Sequence, residues 1–122
     1  MALTKTTVRS SPGSRYIVQT EASATADNAV AGTSGTLLQA DIDNTGNLSA
    51  VYLKLYNHAS PTVGTTAPEW VFRCPAQVRR IFSCVPGSTF ATNLSMACVT
   101  NGGTAGTVSP ANPVIVRLLL NV

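Results

Sequence analysis

The sequence predicts an all-β protein: an antiparallel β-sandwich or jelly-roll-like domain of six to eight strands, preceded by an extended N-terminal arm. Three observations carry this. From residue 36 onward, apolar residues recur with a period of two, the spacing at which a strand returns side chains to one face of a sheet. Clusters of Gly, Pro, Asn, Asp and Ser separate these runs. No segment shows the 3.6-residue apolar stripe of an amphipathic helix.

Residues 1–35 read as the arm. They are rich in Thr, Ser and Ala and hold one strand candidate, Arg15 to Thr20, before the turn-forming Gly32-Thr33-Ser34-Gly35. Between Ala22 and Val30, the side chains of Ser23, Thr25, Asp27 and Asn28 compete for backbone hydrogen bonds, so the alanines there do not make a helix. The sandwich domain is assigned to residues 36–122. Its strands are expected around Leu38-Ala40-Ile42, Val51-Leu53-Leu55, Trp70-Phe72-Cys74, Val78-Arg80-Phe82-Cys84, Leu94-Met96-Cys98 and Val114-Val116-Leu118-Leu120. The second of these, alternating with Tyr52, Lys54 and Tyr56, has the clearest pattern. The last is apolar on both faces apart from Arg117, which points to a subunit contact on one side.

The chain has 122 residues, enough for one domain with its own core. Only 11% of residues are charged and 44% are hydrophobic, against a usual charged share of about 25%. A surface so poor in charge suits a chain packed against others better than a free monomer. The net charge of +3 does not point to nucleic acid. The bases are scattered, only Arg73, Arg79 and Arg80 lie close together, and a phosphate-tracking face needs clustered Lys and Arg. No membrane span is expected: the longest apolar run, Val114 to Leu120, is far shorter than the roughly 20 residues required and contains Arg117. No apolar stretch follows Met1 as a secretory signal would, so synthesis in a cytoplasm is expected. Three cysteines, Cys74, Cys84 and Cys98, leave an odd thiol and favour buried free cysteines over a Cys74 to Cys98 bridge.

The chemistry-bearing residues do not assemble into a reaction centre on paper, and no enzyme, cofactor or metal is expected. His58 is the one histidine and ends the strongest strand, without a Gly-x-Ser-x-Gly nucleophile turn anywhere. The cysteines and His58 lack zinc-ligand spacing. Asp41-Ile42-Asp43-Asn44-Thr45-Gly46-Asn47 has a calcium-loop beginning but no bidentate Glu, so turn capping is its expected role. Gly102, Gly103 and Gly106 lack the Lys-Ser/Thr and the helix of a phosphate-binding loop.

The run Leu48-Ser49-Ala50-Val51-Tyr52-Leu53-Lys54-Leu55-Tyr56-Asn57, followed by Pro61-Thr62-Val63-Gly64-Thr65-Thr66-Ala67-Pro68, resembles small virion proteins of tailed bacteriophages and cyanophages. Thr89 to Ala97 and the closing strand Val114 to Leu120 extend the resemblance over about Asp43 to Val122, excluding the arm. Arg73, Arg79 and Arg80 depart from it, standing where many such proteins look more polar or apolar. The resemblance implies an all-β virion structural protein, and with the low charge it points to a capsid decoration (cement) protein on the outer capsid surface. Its expected partner is the major capsid protein. On this view the sandwich forms a homotrimer, with Trp70, Phe72, Val116, Leu118 and Leu120 as subunit-interface candidates. The arm meets the capsid through Lys5, Arg9, Arg15 and Tyr16. The alternative is a tail- or head-fibre receptor or glycan-binding module using Trp70, Tyr52 and Tyr56 as an aromatic platform.

Overall fold

The computed structural model describes residues 13–122. Among them are seven strands and no helix: β1 (Arg15–Ala22), β2 (Gly35–Asp43), β3 (Val51–Tyr56), β4 (Trp70–Cys74), β5 (Arg79–Phe90), β6 (Ser95–Val99) and β7 (Val114–Asn121). They form a four-stranded sheet in the order β1-β7-β2-β5 and a three-stranded sheet in the order β4-β3-β6, with every pairing antiparallel. The β-sandwich expected from the period-two pattern is the fold.

The alternation works as the pattern requires. On β7, Val114, Val116, Leu118 and Leu120 are fully buried while Ile115, Arg117 and Leu119 between them are half-buried. The first set meets Leu37, Ala40 and Ile42 of β2 and Val51, Leu53 and Leu55 of β3 in one core. Phe72 of β4 stacks on Phe82 of β5 with ring centroids 4.8 Å apart, packing one flank of the sandwich. Residues 23–30 run along the other flank beside β6. There Asp27 and Met96 exchange backbone hydrogen bonds of 2.8 and 3.0 Å, and Val30 donates to the Leu94 carbonyl at 2.8 Å.

Two expectations are corrected. Residues 13–35 are not an arm. β1 pairs with β7 from Arg15↔Leu120 to Ala22↔Val114, and Ala22 and Ala31 belong to the core, so the domain boundary placed at residue 35 lies no later than residue 13. The reason is non-local: β1 is weakly apolar, and its partner lies about a hundred residues away in the chain. Val116, Leu118 and Leu120 are likewise not intersubunit residues, because the chain's own core covers all three completely. β7 is apolar on both faces because it is an interior strand, flanked by β1 and β2.

All three cysteines are free, and Cys74 and Cys98 are buried. β3 separates their strands, a gap of about 9–10 Å between backbones, beyond the ~7 Å that a disulfide spans. Burial pushes the Cys98 thiol up to about 12 and raises that of Cys74 as well.

Candidate interaction surface

The two outer faces of the sandwich differ in kind. On the three-stranded sheet, Tyr52, Lys54 and Tyr56 point away from the core, yet Lys54 and Tyr56 have no exposed surface. The loop after β6 covers Tyr52 and Lys54. The loop after β6 lays Gly102 on the Tyr52 ring, where an added Cβ would sit 2.6 Å from a ring carbon, so only glycine permits that approach. The same loop turns three carbonyls onto the Lys54 ammonium, which donates to Gly103 O at 2.6 Å, Gly106 O at 3.0 Å and Thr104 O at 3.4 Å. Burial lowers the Lys54 pKa, because the charged form has lost water. Tyr56 is buried by its surroundings with its hydroxyl unpaired among the described residues, and the same burial raises its pKa. Gly64 of the loop between β3 and β4 packs on Thr107 and so braces the covering loop.

The outer face of the four-stranded sheet is covered among the described residues at one end, where Gly13 packs on Leu119. Register places Tyr16, Leu119, Gln39 and Ser83 in one row and Val18, Arg117, Asp41 and Ile81 in the next. Tyr16 is 60% exposed, Val18 48% and Ile81 56%. Between these apolar flanks lies a balanced charge cluster. Arg79 grips Asp41 with both ends of its guanidinium, Nε to Oδ1 at 2.8 Å and Nη2 to Oδ2, and Asp41 in return raises the Arg79 pKa. Asp43 accepts from the Thr45 hydroxyl at 2.6 Å and the Thr45 N–H at 3.1 Å, which with Arg79 and Arg117 nearby holds its carboxyl below the usual range.

The Asp-Asn turn is a knot of amides. Asn44 Nδ2 donates to the Ser49 and Pro75 carbonyls at 3.0 Å, Asn47 Nδ2 donates to Asn44 Oδ1 and Asn112 O at 3.0 Å, and the Asn112 N–H returns a bond to Asn47 Oδ1 at 2.8 Å. Three loops are tied at one end of the sandwich in this way. Among the described residues, no three His, Cys, Asp or Glu side chains gather as a metal-binding set. A cleft of about 350 Å³ beside the knot is walled by Leu48, Val51, Val108 and Pro110, and no titratable side chain lines it. Such a cleft can hold an apolar group but has no acid or base to offer.

Compared with known proteins, the chain matches no family model, no curated protein and no solved structure. Its own geometry therefore has to carry the functional reading. Of the residues the sequence singled out, Tyr16 stands on the open face, and Arg15 lies at the start of β1 with its guanidinium donating to Ala31 O. Lys5 and Arg9 lie outside the described residues. Trp70 and Phe72 are half-buried against the core. The platform of Trp70, Tyr52 and Tyr56 does not assemble: Tyr56 is enclosed, Tyr52 lies under Gly102, and Trp70 packs inward. Val18 and Ile81 were missed as surface residues. The alternation of Val18 with Ile17 was their one signal, and it does not say which face is open.

Proposed function

We propose that this chain is a non-catalytic structural protein of a tailed-phage virion, a decoration protein that binds the outer surface of the major capsid protein shell and stabilises it as a homo-oligomer. The observation that carries the proposal is the asymmetry of the sandwich. One outer face is closed over by the loop after β6, while the other presents Tyr16, Val18 and Ile81 around a charge-balanced Arg–Asp cluster. A face left partly open and apolar among the described residues, on a domain with so little charge, is suited to a protein partner. The loop that braces the seal through Gly64, residues 57–69, includes the Pro61 to Pro68 stretch on which part of the resemblance to virion proteins rests. In this reading, those residues build the scaffold and leave the contact face to vary. The fibre-type glycan reading loses support from the enclosure of Tyr52 and Tyr56.

Co-sedimentation with expanded, undecorated capsids tests the proposal. The unmodified chain is expected to pellet with the shells, and the double substitution Tyr16→Asp, Ile81→Asp is expected to stay in the supernatant. Failure of the unmodified chain to bind, or unchanged binding by the double variant, overturns it. Because residues 15–22 form β1, a deletion that probes the arm must stop at residue 12.

A further inference from the structure

The chain has eight asparagines, and one of them, Asn101, is followed by glycine. An asparagine can react with its own chain when the next residue's backbone nitrogen attacks the side-chain carbonyl carbon. A side chain on that next residue obstructs the approach, and glycine has none. The fold blocks the other asparagines one by one. The side-chain amides of Asn44 and Asn47 are tied into the knot. Asn112 precedes Pro113, which has no N–H. The nitrogens that follow Asn28, Asn93 and Asn121 are engaged, donating to Ser95 Oγ at 3.0 Å, Asn93 Oδ1 at 2.9 Å and Ser14 Oγ at 2.8 Å. Asn57 is followed by the bulky His58. At Asn101 these obstacles are missing together: the residue is exposed, and the Gly102 N–H donates to no acceptor among the described residues. The Gly103 N–H donates to Asn101 Oδ1 at 2.9 Å, which polarises the carbonyl under attack and stabilises the negative oxygen that attack creates.

We infer that Asn101–Gly102 is a self-modification site whose isoaspartyl product opens the loop over Lys54. The Gly102 nitrogen loses its proton to solvent and bonds to Asn101 Cγ. The Cγ–Nδ2 bond then breaks, and Nδ2 leaves as ammonia with a proton from solvent. The five-membered imide takes up one water and opens on either side; nothing is oxidised or reduced. One opening leaves an aspartate on the original backbone. The other leaves an isoaspartate, whose main chain runs through Cβ and Cγ and is one atom longer. This loop has no room for the added atom. Its neck is clamped where the Thr100 N–H donates to Val108 O at 3.0 Å, Gly102 already lies against the Tyr52 ring, and a Cβ on Gly106 would collide with the Asn101 carbonyl oxygen. The carbonyls of Gly103, Thr104 and Gly106 meet the Lys54 ammonium from this arrangement, so lengthening the chain beside them withdraws them and admits water.

The lysines make the outcome readable. Lys5 and Lys54 are the only two in the chain, and Lys54 is fully buried while the loop is closed. The isolated full chain is aged at mildly alkaline pH, sampled over time, acylated at its amines, digested and read by mass spectrometry. Isoaspartate is counted by the methyl groups that an isoaspartyl methyltransferase adds. Amide-to-acid conversion is expected at residue 101 before any other asparagine, and Lys54 acylation, referred to Lys5, is expected to rise in proportion to the isoaspartate. Asn101→Gln, which would have to close a larger ring, is expected to show no rise with age. Freshly made Asn101→Asp carries the new charge without the added atom and is expected to keep Lys54 as shielded as in the fresh original chain. Absence of isoaspartate at residue 101 overturns the inference. So does isoaspartate that accumulates while Lys54 stays unlabelled, an equal rise in Asn101→Gln, or immediate labelling in Asn101→Asp. Capsid co-sedimentation can succeed or fail whichever way these measurements fall.

Discussion

Replacing Lys54 by methionine keeps the aliphatic stem and removes only the ammonium. Two principles then compete. The ammonium donates to Gly103 O at 2.6 Å and Gly106 O at 3.0 Å, with a weaker contact to Thr104 O at 3.4 Å. Hydrogen bonds from a charged donor contribute about 1.5–3 kcal/mol each, so the two short ones hold the loop by roughly 3–6 kcal/mol. Against this stands the cost of keeping a charge dry, which the substitution removes and which often makes an apolar replacement neutral or better. Among the described residues no carboxylate offsets that cost, but the three carbonyls would face a methyl group and must turn to water to be satisfied. We expect the carbonyls to dominate, with a net loss of about 2–3 kcal/mol, equivalent to a fall in Tm of about 8–15 °C for a domain of this size. Calorimetry measures the fall, and limited proteolysis measures whether the loop of residues 100–109 has lifted. A Lys54→Met chain as stable as the original, with its loop still protected, would refute the view that the ammonium holds the loop down.

Two further predictions follow from burial and from the amide knot. The Cys98 thiol has a folded pKa of about 12 against an ordinary 9.0, so the folded state retains its proton longer. Stability from this group is complete below pH 9 and is lost as pH rises toward 12, by up to about 4 kcal/mol. Cys74 and Tyr56 act in the same sense, while Lys54, whose folded pKa is lowered from 10.5, acts in the opposite one and gains stability as pH rises toward that value. Urea unfolding across alkaline pH is expected to show a net decline that is shallower in Cys98→Ala; an identical slope in the two chains contradicts the assignment. Asn44→Ala removes two good donor bonds and the acceptor for Asn47, and is expected to cost about 2–4 kcal/mol in urea midpoint measurements. A loss below about 0.5 kcal/mol would show that the three loops hold together without it.

Much of the fold was legible because a strand writes its buried face at every second position. Val51, Leu53 and Leu55, or Val114 through Leu120, give the element and its core face without reference to anything else in the chain. Their outer faces depend on distant segments. Tyr52, Lys54 and Tyr56 alternate with the core residues of β3, and only the glycines at 102, 103 and 106 signal in the sequence that backbone can come close enough to cover that side. β1 reads in the sequence as a strand of an arm, because nothing local in Arg15 to Thr20 names β7 as its partner. The open face was invisible for the same reason: its rows join residues from four strands, and Ile81 lies beside Asp41 only once the register is known.

The position of β7 has a consequence for how the molecule forms. The last strand in chain order is an interior strand of the four-stranded sheet, with β1 on one side and β2 on the other. While the chain is being made, β1 has no edge to join until residues 114–121 have emerged, so that sheet cannot be completed from the front. Non-local pairing of this kind folds slowly, and it leaves β1 without its partner until β7 has been made. A chain interrupted before Val114 would lack the strand that joins β1 to β2 and would present unpaired edges to every neighbouring chain.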